Sequence, residues 1–107
     1  MIKLLPVIIF CLLASHSNAN ENNTLTSLME TRSCIECNLS KLNLGLQDLH
    51  RVDLSGANLS DSYMVNVDLS NANLSNSDLS NTYMNGANLS YTKLVETDFK
   101  GAELELA

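Results

Sequence analysis

Large apolar side chains recur at every fifth residue in the second part of the chain, without a gap. A step of five residues turns an α-helix by about 140° net, so these side chains would spread around a helix. On a flat strand, an odd step would place successive ones on opposite faces. The period therefore predicts a chain that bends by a constant angle once per repeat and points these side chains at one axis. The fourteen centre positions of this predicted core ladder are Leu39, Leu44, Leu49, Leu54, Leu59, Met64, Leu69, Leu74, Leu79, Met84, Leu89, Leu94, Phe99 and Leu104.

A second inward position is expected two residues before each centre, on the same side of an extended segment. From Val52 onward every residue at this position is small or β-branched, which suits a narrow interior that the centres already fill. Leu42 and Gln47 depart from this pattern and predict a less regular first coil. The residue before each centre is mostly Asn or Asp and the residue after it mostly Ser, and these residues tolerate bends and bond to nearby backbone.

A sequence echo indicates how many repeats make one turn. Tyr63-Met64 recurs as Tyr83-Met84, twenty residues later. This offset favours four repeats per turn and hence a square cross-section. Fourteen repeats then make about three and a half coils, and stacking at about 4.8 Å per coil gives a rod about 17 Å long.

Three stretches carry a resemblance to a known family: Ala57-Asn58-Leu59-Ser60, Ala72-Asn73-Leu74-Ser75 and Ala87-Asn88-Leu89-Ser90. They resemble the A-(D/N)-L-x-x motif of the pentapeptide repeat family, and the resemblance covers about two-thirds of the chain. It implies an all-β fold, a right-handed quadrilateral β-helix with four repeats per coil. The handedness comes from the resemblance alone. We place this solenoid at residues 34–107.

The first nineteen residues have the order of a secretory signal peptide. A basic start at Met1–Lys3 precedes the apolar run Leu4–Ala14 and the short polar stretch Ser15–Ala19. This order predicts export to the periplasm or the extracellular space, with cleavage between Ala19 and Asn20. The apolar run is shorter than the roughly 20 residues that cross a bilayer, so we expect no membrane span after cleavage.

Residues 20–33 form a polar N-terminal segment in which a short helix is expected at Leu25–Glu30. Ser27-Leu28-Met29-Glu30 fits the S-x-x-E capping box at a helix start. The apolar side chains of this helix are expected to cover the first coil, since solenoids need capped ends. A disordered polar tail is the alternative.

The other end of the rod has no evident cover, because the chain stops at Glu105-Leu106-Ala107. We therefore expect the C-terminal end to be buried by self-association or by an unknown protein partner. Relatives that dimerise through this end are known in the resembled family, which the resemblance extends to this chain as an expectation.

Charge and cysteine content narrow the chemistry. The formal net charge is −6, and loss of Lys3 with the signal leaves five basic against twelve acidic residues. Such an acidic surface disfavours direct nucleic-acid binding. Cleavage also leaves two cysteines, Cys34 and Cys37, for which a disulfide, packed free thiols and a redox role stay open. Two thiols and His50 fall short of a four-ligand zinc site, and Asn38 replaces the histidine of a haem motif, so no metal or cofactor is expected.

Several surface residues have both a functional and a structural interpretation. Tyr63 and Tyr83, one coil apart, are a candidate recognition stripe or a ladder that stabilises neighbouring coils. Lys41 and Asp61 share a column and are candidates for a weak ion pair across coils.

Acidic residues also stack from coil to coil. Asp48 lies over Asp68, and Asp78 over Asp98; such pairs can bind a cation or serve acid–base chemistry, but a solvated face is the expectation. His50 reads as a lone surface histidine, and no catalytic residue is identified.

The function that these observations favour is a non-enzymatic structural or protein-interaction module of the bacterial cell envelope. The best-understood members of the resembled family are acidic rods that mimic DNA and bind gyrase. This is the alternative if the chain is not exported. A redox accessory that uses Cys34 and Cys37 is the second alternative.

Overall fold

The structure is a computed structural model that describes residues 17–107, with side chains described from Thr24 onward. The chain divides into two units, with the boundary between Thr31 and Arg32. The predicted signal peptide, residues 1–19, lies outside the described residues except for its last three. In residues 17–107 no helix is long and apolar enough to cross a membrane.

The described residues of the first unit form one helix, α1, at Ser17–Thr31. It includes the predicted Leu25–Glu30 helix but begins ten residues before the Ser27 capping-box signal, so the predicted start is wrong. The few hydrogen bonds of a six-residue helix hardly offset the free energy of helix nucleation, whereas fifteen residues reach the length at which helices become marginally stable. Inside the helix the Ser27 carbonyl accepts a hydrogen bond from Thr31 Oγ1 (2.8 Å). Whether α1 covers the first coil stays a prediction.

The second unit, Arg32–Ala107, is built from parallel β-bridges that each join residues twenty positions apart. The bridges run from Ser33–Asp53 to Tyr83–Glu103 and always involve the residue before a centre position. Twenty residues per turn means four five-residue repeats per turn. The unit has no longer strands, because the chain turns again after one bridged residue; the expected β-structure is therefore a stack of single-residue bridges.

Three backbone hydrogen bonds per repeat connect successive coils. The centre Leu39 donates its N–H to the Asn58 carbonyl (2.7 Å), and Lys41 donates to the Ser60 carbonyl (3.0 Å). In the opposite direction Asn58 donates to the Cys37 carbonyl (2.8 Å). The same pattern recurs along the unit, so each coil gives two donors per repeat to the coil that follows and one to the coil that precedes.

The corner of each repeat depends on a residue with left-handed backbone. Two positions after every centre from Cys34 to Leu104, φ lies between 55° and 76°. In most residues this conformation brings the Cβ atom too close to the backbone, whereas Gly and Asn adopt it readily. Gly occupies it at Gly56, Gly86 and Gly101, and Asn at four further repeats. At Gly86 a Cβ atom would lie 2.1 Å from Asn66 Oδ1, so a larger residue there requires the Asn66 side chain to move.

The side chains of the Asn and Asp residues before the centres stabilise the turn by accepting hydrogen bonds. Asn58 Oδ1 accepts hydrogen bonds from the Ser60 backbone N–H (3.0 Å) and hydroxyl (2.7 Å). Asp78 Oδ1 accepts the equivalent pair from Ser80. These local bonds explain the Asx-centre-Ser sequence. The left-handed bend itself lies one residue beyond the serine.

The core ladder is buried through three-quarters of its length. The ten centres from Leu39 to Met84 are fully buried. In the last coil, Leu89 and Phe99 are half-buried, while Leu94 and Leu104 are 37% and 39% exposed. The second inward position is buried from Val52 to Ala87, and its half-burial in the first coil matches the irregularity at Leu42 and Gln47.

Hydroxyl groups inside the rod bond to the backbone of their own turn. Ser62, Ser77 and Thr82 are buried, and each donates to the carbonyl of the preceding centre, for example Ser77 Oγ to Leu74 O (2.6 Å). No buried side-chain nitrogen or oxygen of the described residues lacks a partner. Because backbone carbonyls accept these hydroxyl groups, the narrow core accommodates serine and threonine at positions where alanine and valine also fit.

The left-handed position predicts a stabilising substitution at Leu46, which is 79% exposed at φ 64°. Leu46→Asn relieves part of the roughly 1–2 kcal/mol that a non-glycine residue costs in this conformation. We expect the free energy of unfolding in urea to rise by up to about 1 kcal/mol.

Ile35→Asn is the matched control, because Ile35 is also exposed but lies one residue earlier in its repeat, outside the positive-φ positions. A gain of equal size in both variants would contradict the conformational explanation.

Candidate functional site

The C-terminal coil, residues 87–107, presents an unpaired backbone edge. In earlier coils the centre N–H and the left-handed residue's N–H donate to the following coil. In residues 32–107 the centre N–H groups of Leu89, Leu94, Phe99 and Leu104 donate to no carbonyl. The Thr92 carbonyl is one of four at the second inward position that accept no backbone bond from the described chain. This edge therefore offers both donors and acceptors.

Apolar side chains line the same edge. Leu94 and Leu104 are the exposed ends of the core ladder, and Tyr91, Val95 and Leu106 are 88%, 65% and 88% exposed. An open depression of about 470 Å³ lies between residues 86–90 and Leu106–Ala107. Sequence reasoning counted Leu94 and Leu104 as core and missed the other three. The signal for all five was their place in the last twenty residues, which is the length of one coil.

Charge is distributed unevenly along the rod. Between Val52 and Thr92 there are four Asp and no Lys or Arg. The C-terminal coil carries both signs, with Lys93 and Lys100 among acidic residues such as Glu103. The open edge is thus compatible with a partner of mixed charge, while the middle of the rod repels anions.

Cys34 and Cys37 form a disulfide in the first coil, with Cα atoms 5.4 Å apart. Cys34 is 8% exposed, and its N–H donates to the Asp53 carbonyl (2.8 Å), while the Cys37 carbonyl accepts from Asn58. The backbones of both cysteines therefore form hydrogen bonds to the next coil. A structural disulfide accounts for this environment.

Tyr63 and Tyr83 lie on adjacent coils with ring centroids 6.4 Å apart and planes inclined at 43°. Each is about half exposed. A Cβ atom on Gly45 would come within 2.8 Å of the Tyr63 ring, so the ring also lies against the coil before it. The two rings and Gly45 make a continuous contact across three coils. This geometry favours the stabilising ladder over a free recognition stripe.

A polar cluster on another face joins Asp48, His50 and Asp68. His50 Nδ1 lies 2.5 Å from Asp48 Oδ1, and Arg32 Nη2 is 3.9 Å from Asp48 Oδ2. His50 is thus not the lone histidine that the sequence predicts. The candidate Lys41–Asp61 pair does not form; the ion pairs found in the described part of the chain are those of Asp48.

Hydrogen bonds to the carboxylates lower three pKa values. The His50 side chain lowers the pKa of Asp48, with a smaller contribution from Arg32. The hydroxyl and N–H of Ser70 lower the pKa of Asp68, against a raising effect from Asp48. Ser80 lowers the pKa of Asp78 in the same way. These side chains are therefore anionic at neutral pH and accept bonds rather than transfer protons.

The comparison with known families agrees with the repeats. The family model of the pentapeptide repeats matches residues 33–64 and 62–101, with eight copies. The chain belongs to the pentapeptide repeat family. The right-handed quadrilateral β-helix of pentapeptide repeat proteins has the four repeats per coil that the twenty-residue bridges require. Members are generally structural or interaction modules.

Solved pentapeptide repeat proteins are similar to this chain. One from the cyanobacterium Cyanothece 51142 is 21% identical, covers 78% of this chain and 99% of its own, and has a TM-score of 0.47. One from Nostoc PCC 7120 is 31% identical over 74% of each chain, with a TM-score of 0.46. One from the thylakoid lumen of Arabidopsis thaliana is 22% identical over 63% and 61%, with a TM-score of 0.35. No curated protein matches.

The lowered pKa of Asp78 predicts how this pentapeptide repeat protein responds to acid. A folded-state pKa below the unfolded value of about 3.9 stabilises the fold above that pH, and the contribution is lost as pH falls through the folded pKa. Asp78→Asn keeps the Oδ1 acceptor, as Asn73 does for Ser75 (3.1 Å), but does not titrate. We expect a smaller loss of unfolding free energy between about pH 5 and pH 2.

Chemical denaturation at each pH measures this change. Asp61→Asn removes the same charge from a carboxylate that accepts no turn hydrogen bond, so it controls for net charge. An acid loss in Asp78→Asn as large as that of the unmodified chain would contradict the prediction.

Proposed function

We propose that this chain is a non-enzymatic interaction module of the bacterial cell envelope, exported from the cytoplasm, whose C-terminal coil associates with a second copy of itself. One observation carries the proposal: the last coil exposes the ends of the core ladder together with unpaired backbone donors. Leu94 and Leu104 are each more than one-third exposed at this edge. Unpaired sheet edges of this kind are templates for pairing with another chain.

The edge is chemically self-complementary, which favours a second copy as the partner. Each of its repeats offers two N–H donors and one carbonyl acceptor, as at Leu94, Glu96 and Thr92. Lys93 and Lys100 lie on the same coil as several carboxylates. A two-fold arrangement brings donors of one copy to acceptors of the other and opposite charges together, as isologous interfaces require.

Several features support the exported address. Residues 1–19 have the basic, apolar and small-residue order of a secretory signal. The Cys34–Cys37 disulfide suits an oxidising compartment outside the cytoplasm. The acidic middle of the rod, including Asp53 and Asp61, makes direct nucleic-acid binding unfavourable. DNA mimicry for a cytoplasmic target would need the chain to stay inside the cell.

Export predicts removal of residues 1–19 in a bacterial host. We expect intact mass spectrometry of the envelope fraction to find a chain that begins at Asn20. Ala19→Glu places a charged residue at the cleavage position, which requires a small one, and is expected to keep the precursor mass. Asn22→Glu adds the same charge beyond the cleavage position and serves as control. A full-length chain in the cytoplasmic fraction would show that the export proposal is wrong.

Self-association predicts an effect of charge at the open end. The chain purified from the cell after any signal cleavage is expected to sediment as a dimer at high micromolar concentration. Leu106→Glu places a charge at an 88% exposed position beside the open edge, where desolvation opposes association. We expect the dissociation constant, measured by analytical ultracentrifugation, to rise at least about tenfold, the equivalent of about 1.4 kcal/mol.

Leu46→Glu is the matched control. Leu46 occupies the same position of its repeat and the same column, is 79% exposed, and lies three coils away. This variant is expected to dimerise as the unmodified chain does. A monomeric unmodified chain, or equal weakening by both substitutions, would overturn association through the C-terminal coil.

A further inference from the structure

The cluster of Asp48, His50 and Asp68 brings nitrogen and oxygen donors together on the surface of the rod. One potential ligand atom from each residue lies within 4.8 Å of the others. His50 and Asp68 are half-buried and Asp48 is exposed, so the group is open to solvent on one side. The cluster is remote in sequence from the C-terminal coil, and its chemistry is independent of the proposed self-association.

The two carboxylates are held together by the backbone rather than by each other. Asp48 and Asp68 form a parallel bridge, with Leu49 N–H bonded to the Asp68 carbonyl (2.8 Å) and Asp68 N–H bonded to the Gln47 carbonyl (3.0 Å). Like charges in this stack repel, and the Asp48 charge acts to raise the pKa of Asp68. A cation between them would remove that repulsion without moving the coils.

The imidazole adds the donor that distinguishes this stack from an ordinary acidic column. Asp68 uses Oδ1 for the Ser70 N–H (2.9 Å) and hydroxyl (2.7 Å), which leaves Oδ2 available. His50 Nδ1 faces Asp48 Oδ1, and coordination of a metal ion by these two atoms would replace their direct contact. The serine bonds would then orient the Asp68 carboxylate as an outer shell of the site.

We infer that Asp48, His50 and Asp68 form a site for a divalent first-row transition metal such as Zn²⁺ or Ni²⁺, with water completing the coordination. One imidazole and two carboxylates suit these ions, whereas Mg²⁺ and Ca²⁺ prefer oxygen ligands throughout. The turn that bonds the His50 N–H to Asp48 Oδ1 (3.3 Å) holds these two ligands on one coil.

Arg32 opposes the cation and sets an upper limit on affinity. Its guanidinium lies 3.9 Å from Asp48 Oδ2 and also donates to the Asp48 backbone carbonyl. A metal ion must share or displace this positive charge. Arg32→Gln is therefore expected to strengthen metal binding. If the metal bound nonspecifically to the acidic rod, any substitution with the same change in net charge would strengthen binding equally.

The rod contains a matched stack without an imidazole. Asp78 and Asp98 form the equivalent bridge on another face, and Ser80 bonds Asp78 as Ser70 bonds Asp68. Ser80 stands where His50 stands in the first stack, and Lys100 stands where Ser70 stands. This second stack tests whether stacked carboxylates alone hold the ion.

Isothermal titration of Zn²⁺ into the untagged chain, in the form that the cell produces, tests the site. We expect one Zn²⁺ per chain, with affinity reduced at least about tenfold in His50→Ala and Asp68→Asn and unchanged in Asp78→Asn. Arg32→Gln should bind more tightly, whereas Lys41→Gln, with the same change in net charge, should not.

Nuclear magnetic resonance locates the ion independently of affinity. The ring protons of His50 should shift on addition of Zn²⁺ and not of Mg²⁺, in a chain whose other spectrum shows intact folding. No binding, equal binding of Zn²⁺ and Mg²⁺, or full affinity in His50→Ala would each overturn the proposal.

Discussion

The hydrogen bonds between coils are the constraint on which the rest of the structure depends. Each repeat contributes three of them, and together they lock residues twenty positions apart into register, as in the bonds that join Leu39 and Lys41 to the next coil. Because the register is common to all four faces, side chains one coil apart form columns. The tyrosine ladder, the stacked carboxylates and the central core are three products of the same register.

A second constraint is the left-handed residue at every corner. Its cost is small for Gly56 or Asn66 and larger for Leu46 and Tyr91, yet the chain accepts all of them. The inter-coil bonds formed on either side of the corner offset this strain, since missing one would leave backbone groups without partners. The repeat therefore accepts many residue types on its surface, whereas side-chain size is restricted at its inward positions.

The same hydrogen bonding makes the two directions along the rod unequal. A coil gives two N–H groups per repeat to the next coil and one to the coil before. At the C-terminal coil the larger set of donors has no acceptor in the described chain, and the core ends at Leu94 and Leu104 are exposed with it. Middle coils, in contrast, satisfy their backbone internally. Main-chain groups are therefore available at the C-terminal coil, whereas the faces of the middle coils offer only side chains.

Side-chain chemistry on those faces arises where the repeat departs from its consensus. Tyr63 and Tyr83 replace the usual Asx residue and cover Gly45 and each other rather than bonding the turn. His50 replaces the usual serine and meets the carboxylate of Asp48 in its own turn. The two tyrosines lose the turn hydrogen bond and gain ring contacts within a column, whereas His50 keeps the bond from its N–H to Asp48 Oδ1 and adds a contact from its ring nitrogen.

The sequence by itself determined the period, the inward positions and the twenty-residue register, because each follows from side-chain size and spacing along one chain. It also singled out Cys34 and Cys37, but left their disulfide open among other states. Only the tertiary structure decided the left-handed corner, the start of α1 at Ser17 and the position of His50 near two carboxylates. Corners and clusters depend on backbone angles and on neighbours a full coil away. A five-residue pattern records none of these.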